Sequence, residues 1–175
     1  MIPLTIEQDI EINYPKNQIT ISDIELIESY AKANTQNALT KSGYNIIPMV
    51  GEFLGNDFKK VAYYTEVYNT LQLLDSNGKY IIHQYIENYD NQKTIGNFNK
   101  IKRYTSTAVQ PLLKMWDIEL LPTGNYNIVI QVRDKNNEVL AEKKQRFQRL
   151  NLNSSVQIKD LNKQEYINTF ADNLP

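Results

Sequence analysis

The segment that most constrains the fold is a hairpin near the end of the chain. Apolar and polar side chains alternate through residues 126–133, with one set on each face: Tyr126, Ile128, Ile130 and Val132 against Asn127, Gln131 and Arg133. A period of two indicates a strand with one buried face. Residues 134–137 (Asp-Lys-Asn-Asn) supply a turn, after which Val139, Ala141 and Phe147 return on a second strand. This segment predicts an antiparallel hairpin that packs on a hydrophobic core.

Other segments have the same β character. Residues 60–69 carry apolar bulk on both alternating faces, which predicts a central strand covered on both sides. An Asn-Gly pair at 77–78 predicts a turn into a strand over 79–87. Residues 19–30 and 44–50 are further predicted strands, with Pro48 marking an edge or a bulge. Frequent turns and no long amphipathic helix predict an all-β antiparallel sandwich.

A tyrosine after a sharp corner makes the fold prediction more specific. Residues 121–124 (Leu-Pro-Thr-Gly) end just before Tyr126, which begins the penultimate strand. This arrangement resembles the tyrosine corner of immunoglobulin and fibronectin-type sandwiches. We therefore expect Tyr126 to be mostly buried, with its hydroxyl bonded to backbone a few residues upstream, near Ile118 to Leu121.

The sequence divides into three predicted parts. Residues 1–17 are an N-terminal strand or linker remnant, and residues 18–151 form the immunoglobulin-like sandwich. Residues 152–175 are a linker and the start of a helix capped by Asp160, with four apolar side chains on one face: Tyr166, Ile167, Phe170 and Leu174. We expect this short C-terminal helical stub to lead into a domain that is missing here.

Charge and composition exclude several functional classes. The chain has 19 Lys and Arg against 20 Asp and Glu, which argues against a nucleic-acid or anionic-membrane surface. The absence of cysteine excludes disulfides, thiolate nucleophiles and cysteine zinc sites. No apolar stretch reaches the roughly 20 residues of a membrane helix, and residues 1–15 lack the apolar block of a signal peptide.

Four motifs occur in an order that resembles a known family. They are Ser-Asp-Ile-Glu-Leu at 22–26, Thr-Lys-Ser-Gly-Tyr at 40–44, Tyr-Tyr-Thr-Glu-Val-Tyr-Asn at 63–69 and Leu-Pro-Thr-Gly-Asn-Tyr at 121–126. Together they look like the β-sandwich region that precedes the GWxTD domain in GWxTD-domain proteins of Gram-negative bacteria. The GWxTD motif itself is absent. The resemblance implies an exported, cell-envelope or periplasmic setting and carries over no catalytic residue.

The sequence offers no catalytic constellation. His83 is the single histidine, so a histidine-rich zinc site is excluded, and no Gly-x-Ser-x-Gly elbow accompanies it for hydrolysis. We expect His83 to be a half-exposed strand residue. The turns at 75–78 and 89–92 lack calcium-loop spacing, so turn chemistry alone explains them. We predict no enzymatic activity, no cofactor and no metal.

Tyr64, Glu66 and Tyr68 form the candidate ligand-binding set. They share one face of the predicted strand at 60–69, where a carboxylate beside aromatic rings could bind sugar. The structural alternative is that Glu66 bonds to a tyrosine hydroxyl or pairs with a lysine. Trp116 and the other strand tyrosines are predicted mostly as core.

Three functional hypotheses remain from the sequence. The first is a non-catalytic module of a larger cell-envelope protein, with a structural or protein-interaction role and a protein partner or neighbouring domain. The second is a carbohydrate-binding module that uses exposed Tyr or Trp. The third is a hydrolase fragment whose site the missing C-terminal domain would complete.

Overall fold

A computed structural model describes residues 14–74 and 77–154. The predicted strand or linker at 1–13 and the predicted helix from Asp160 lie outside these residues, as does half of the turn at 75–78. The described strands run from Thr20 to Arg149, within the predicted sandwich at 18–151. The three-part division itself stays a prediction.

The first sheet is built around the segment that the sequence marks as a central strand. Its strands are β1 (Thr20–Ile21), β2 (Glu25–Lys32), β3 (Thr40–Lys41), β4 (Tyr44–Pro48), β6 (Lys60–Tyr68) and β9 (Val109–Asp117). Strand β6 lies between β9 on one side and β1 followed by β2 on the other. The predicted central position is confirmed.

The second sheet contains the predicted hairpin. Its strands are β5 (Phe53–Leu54), β7 (Lys79–Asn88), β8 (Thr94–Thr105), β10 (Gly124–Arg133) and β11 (Val139–Arg149). They lie in the order β5, β11, β10, β7, β8, and the β11–β5 pair is the parallel exception among the described strands. A short helix, α1 (Thr70–Leu74), follows β6. The all-β sandwich is confirmed.

Side chains from both sheets form the core. The apolar set of the predicted alternation is buried: Tyr126, Ile128, Ile130 and Val132. Large side chains from both sheets are buried with it, namely Tyr63, Ile86, Trp116 and Phe147. Tyr63 also donates a hydrogen bond across the sandwich to Gln84. Burial of these groups removes apolar surface from water, which is the main favourable term in folding.

A smaller apolar cluster lies on the outer face of the first sheet. It contains Ile27, Ile46, Ala62 and Tyr64, with Leu113 packed against it. Pro48 ends β4 opposite Ile27, where the register of β2 shifts, so the predicted bulge is confirmed at this point. The hairpin of β3 and β4 thereby comes to lie beside Tyr64.

The predicted tyrosine corner is present. Tyr126 is 0% exposed, and its hydroxyl donates to the backbone carbonyl of Pro122 at 2.9 Å, four residues upstream. This acceptor directly follows the stretch 118–121, near which it was predicted. Within that stretch the Ile118 carbonyl accepts from Leu121 N–H, and the Glu119 and Leu121 carbonyls accept from Asn151 Nδ2.

Tyr126→Phe is expected to lower the free energy of unfolding by about 1–3 kcal/mol, because the Pro122 carbonyl loses its partner. Urea denaturation of the two proteins measures this difference. Tyr44→Phe serves as the control, since Tyr44 is 38% exposed and should change stability little. An equal loss in both variants would contradict the role of the corner.

Candidate functional site

The predicted set Tyr64, Glu66 and Tyr68 is brought together by strand geometry. The three residues are two apart on β6, so their side chains leave the same face of the sheet. That face is the outer one, because Tyr63 and Val67, at the alternate positions of the strand, point into the core. The sequence alternation therefore identified a real cluster.

Glu66 is held by both tyrosines. The Tyr64 hydroxyl donates to one carboxylate oxygen and the Tyr68 hydroxyl donates to the other. The Ser42 hydroxyl lies 2.9 Å from the Tyr64 hydroxyl. Because the Tyr64 proton is given to Glu66, Ser42 is the donor in this contact, and a chain of hydrogen bonds ends on the carboxylate.

The three residues line an open groove of about 480 Å³. Five further residues complete its lining: Tyr14, Ser22, Asp23, Glu25 and Lys41. The Tyr14 and Tyr68 rings lie with their centres 5.1 Å apart and tilted by 38°. Tyr14 is 41% exposed, whereas Tyr64 is 4% exposed, so the groove presents Tyr14 rather than Tyr64 to solvent.

Residues 22–24 separate β1 from β2 and place Ser22 against the site. The Glu66 N–H donates to the Ser22 hydroxyl oxygen at 2.9 Å, and the Ser22 N–H donates to the Glu66 carbonyl at 2.9 Å. The sequence predicted one strand over residues 19–30, and the structure divides it into β1 and β2. The break occurs because Ser22 takes over backbone pairing that a continuous strand would supply.

Lys41 closes the other side of the groove. Its ammonium lies 2.6 Å from a Glu25 carboxylate oxygen and 5.5 Å from the centre of the Tyr64 ring. Both contacts favour a cation at this position. They hold the tip of the β3–β4 hairpin over the tyrosine.

The carboxylates of the groove differ in their partners. Glu25 pairs with Lys41, and Asp23 pairs with Lys143 at 2.5 Å. Among the salt bridges of the described residues, none includes Glu66, whose bonds come from neutral phenols. Each carboxylate oxygen has room for a second donor. Glu66 can therefore accept hydrogen bonds from a ligand without losing its own support.

Both phenols are held in the protonated form. Burial is the largest cause that raises the pKa of Tyr64 to about 12, followed by its hydrogen bond to Glu66. Burial and the bond to Glu66 likewise raise the pKa of Tyr68 well above its usual value. Neither phenol can act as a base near neutral pH, because an effective base needs a pKa close to that pH.

These raised pKa values predict alkaline sensitivity. Unfolded tyrosines release protons near pH 10, whereas folded Tyr64 keeps its proton to about pH 12, so stability falls as pH rises through this window. Tyr64→Phe should reduce the slope of unfolding free energy against pH by up to about 1.4 kcal/mol per pH unit. Urea melts from pH 8 to 11 measure the slope. Tyr30→Phe, on an exposed ring, is the control, and identical slopes in both variants would contradict the assignment.

The remaining sequence candidates have structural roles. His83 is half-buried on the outer face of β7, and its Nε2 lies 2.8 Å from Asn99 Oδ1. Burial is the largest cause that lowers its pKa. Trp116 is buried in the core, as predicted, so it offers no surface for a sugar. Tyr89 is exposed, but it lies at the end of the second sheet, away from Glu66.

Sequence reasoning missed the other five lining residues of the groove and Ser42 beside Tyr64. The five come from segments distant along the chain: Tyr14, Ser22, Asp23, Glu25 and Lys41. No strand was predicted between residues 30 and 44, yet residues 31–42 contain the end of β2 and all of β3. No local pattern marks these residues, since strand pairing alone brings them to β6.

Two kinds of feature are absent from the described residues. They contain no group of three or more His, Cys, Asp and Glu side chains placed to hold a metal ion. Within residues 14–74 and 77–154, no helix has the length and apolar character that a membrane crossing requires.

Comparisons with known proteins show little similarity. No family model matches the sequence, and the search of curated proteins found no match. The crystal structure of a selenomethionine-labelled β-glucosidase from Kluyveromyces marxianus is similar, with a TM-score of 0.33 and 12% identity. The similarity covers 73% of this chain and 15% of the glucosidase chain. This chain therefore corresponds to only a small part of the enzyme's length. At this TM-score the likeness assigns neither a family nor an activity.

Proposed function

We propose that this chain is a non-catalytic β-sandwich module of a larger cell-envelope protein, and that it contacts a protein partner through the groove at Glu66. The envelope setting, periplasmic or exported, rests on the resemblance to the sandwich region of GWxTD-domain proteins. The interaction role rests on the structure of the groove. Its carboxylate is fixed by two phenols and remains open to further donors.

The arrangement of Tyr64, Glu66 and Tyr68 favours recognition over chemistry. A recognition site needs groups fixed in one geometry before the ligand arrives, which the two phenol bonds provide. A general base would need a proton acceptor tuned near neutral pH, and both phenols are far from it. His83 lies on the outer face of the opposite sheet and is out of reach of Glu66.

Site-specific photocrosslinking in the cells that produce the protein tests the interaction. A photoreactive p-benzoylphenylalanine at Tyr14 should give a discrete adduct, and Glu66→Gln should reduce its yield. The same group at Tyr89 is the control, since Tyr89 is 45% exposed against 41% for Tyr14 but belongs to the other sheet. Equal adducts at both positions, or none at Tyr14, would contradict the proposal.

Cell fractionation tests the envelope setting separately. The full-length protein should be recovered with the periplasmic or membrane fraction. Recovery with the cytosolic fraction would contradict the envelope setting. The crosslinking experiment would still test the interaction at the groove.

A carbohydrate ligand is the second candidate, favoured by the Tyr14–Tyr68 ring pair beside Glu66. Exposed aromatic rings stack on sugar rings, and carboxylates accept hydrogen bonds from sugar hydroxyls. Calorimetric titration with a panel of neutral oligosaccharides should then give binding that Tyr14→Ala abolishes and Tyr89→Ala preserves. The absence of binding across the panel would remove this candidate.

A further inference from the structure

A second feature lies on the side of the sandwich where two strand edges meet. In the described part of the chain, β8 pairs with β7 alone and β9 pairs with β6 alone, so each has an unpaired edge. The Phe98 and Trp116 rings approach to 6.0 Å between centres and join the two strands across the sandwich. We call this opening the β8–β9 seam and define it by Lys100, Lys102, Lys114 and Trp116.

Three lysines of the seam lie on the inner faces of their strands, at the edge of the sandwich, where Lys100 and Lys102 are exposed and Lys114 is half-buried. Lys102 lies opposite Ile82 on β7, and Lys114 lies opposite Tyr63 on β6; both partners are core residues. Lys100 is two residues before Lys102 on the same face, about 6.8 Å away along the strand. Its ammonium lies 4.9 Å from the centre of the Trp116 ring on β9. The two sheets therefore direct positive charge into one opening.

The positive charge of the seam is not neutralised within the described residues. Their salt bridges use other lysines, namely Lys41, Lys59, Lys143 and Lys144. Burial is the largest cause that lowers the pKa of Lys114, and the charges of Lys102 and Lys100 lower it further. These lysines repel one another, so an anion between them would be stabilised by all three.

Trp116 forms the base of the seam. Its ring packs against Phe98, and its buried indole N–H faces the Tyr63 hydroxyl in the core. The chain is nearly neutral overall, yet this edge of the sandwich brings three cations together above that ring.

We propose that the β8–β9 seam binds a ligand bearing two or more oxyanion groups. Lys100 and Lys102 contact one group each along β8, and Lys114 contacts the ligand from β9. This site is separate from the groove at Glu66, which is on the outer face of the first sheet.

Calorimetric titration of the full chain at low ionic strength tests the seam. The probes are tripolyphosphate, which carries phosphate groups, and trigalacturonate, which carries carboxylates. At least one should bind, and Lys102→Gln and Lys114→Gln should each weaken binding about fivefold or more, as expected for charge-assisted contacts. Lys135→Gln is the control, since Lys135 is exposed in the β10–β11 turn. Added salt should weaken binding.

The pattern of binding distinguishes the outcomes. Binding of tripolyphosphate alone assigns a phosphate ligand, and binding of trigalacturonate alone assigns a carboxylate ligand; either supports the proposal. Absence of binding to both probes, or equal weakening by Lys135→Gln, overturns it. If neither probe binds and Lys102→Gln self-associates in light scattering, the lysines serve only to protect the strand edges. Circular dichroism of each variant verifies that it is folded.

Discussion

Phe147→Ala is expected to lower the free energy of unfolding by about 3–5 kcal/mol, the largest single effect that we predict in this molecule. Phe147 is 0% exposed on β11 and packs with its ring centre 5.5 Å from that of Tyr126. Removal of the ring loses its transfer free energy and leaves a cavity. Strand β10 cannot move in to fill it, because its residues 124–132 are paired with β11 in continuous register. The midpoint of urea denaturation at constant slope measures the loss.

Phe53 offers a matched control on the neighbouring strand. It is the same residue type and lies beside Gln148, the residue after Phe147, but it is 58% exposed. Phe53→Ala should change the free energy of unfolding by less than about 1 kcal/mol. A loss below about 1 kcal/mol for Phe147→Ala would show that the corner at Tyr126 does not anchor the core.

The parts of the fold that the sequence predicted are those encoded locally. The hairpin of β10 and β11 was predicted because alternation and turn residues are both read within a single short segment. Tyr64, Glu66 and Tyr68 were placed together for the same reason, since two-residue spacing fixes their common face. The hydrogen bonds of Glu66 also follow from this spacing, because both phenols can reach its carboxylate.

The parts that the sequence did not predict depend on contacts between distant segments. Ser22 and Lys41 reach Glu66 and Tyr64 through strand pairing, which a local pattern does not specify. Gln131 illustrates a second difficulty. It was predicted to face outward and does so, yet it is only 7% exposed, because Tyr85 and Glu142 cover it. The face of the sheet on which a side chain lies and the extent to which that side chain is buried are thus separate properties.

The same distinction underlies the second large prediction, which concerns Glu87. This carboxylate is on the outer face of β7 but is 2% exposed. It accepts hydrogen bonds from Asn127 Nδ2 at 2.9 Å and from Lys144 Nζ at 2.8 Å. Lys144→Met removes the cation and leaves a buried charge with a neutral donor. We expect the free energy of unfolding to fall by about 2–3 kcal/mol. This is less than the usual cost of breaking a fully buried pair, because the Lys144 side chain is 34% exposed and water can enter.

A double-mutant cycle separates the lost ion pair from the stranded charge. If the stranded charge of Glu87 causes most of the loss, Glu87→Gln added to Lys144→Met should recover part of it, since a neutral amide is cheaper to bury. The coupling free energy between the two substitutions should then be about 1–2 kcal/mol in urea melts at pH 7. Additive effects would mean that Lys144 stabilises the sheet through its alkyl chain alone. Lys143→Met is the comparison, because Lys143 pairs with Asp23, whose side chain is 91% exposed, and its loss leaves no buried charge.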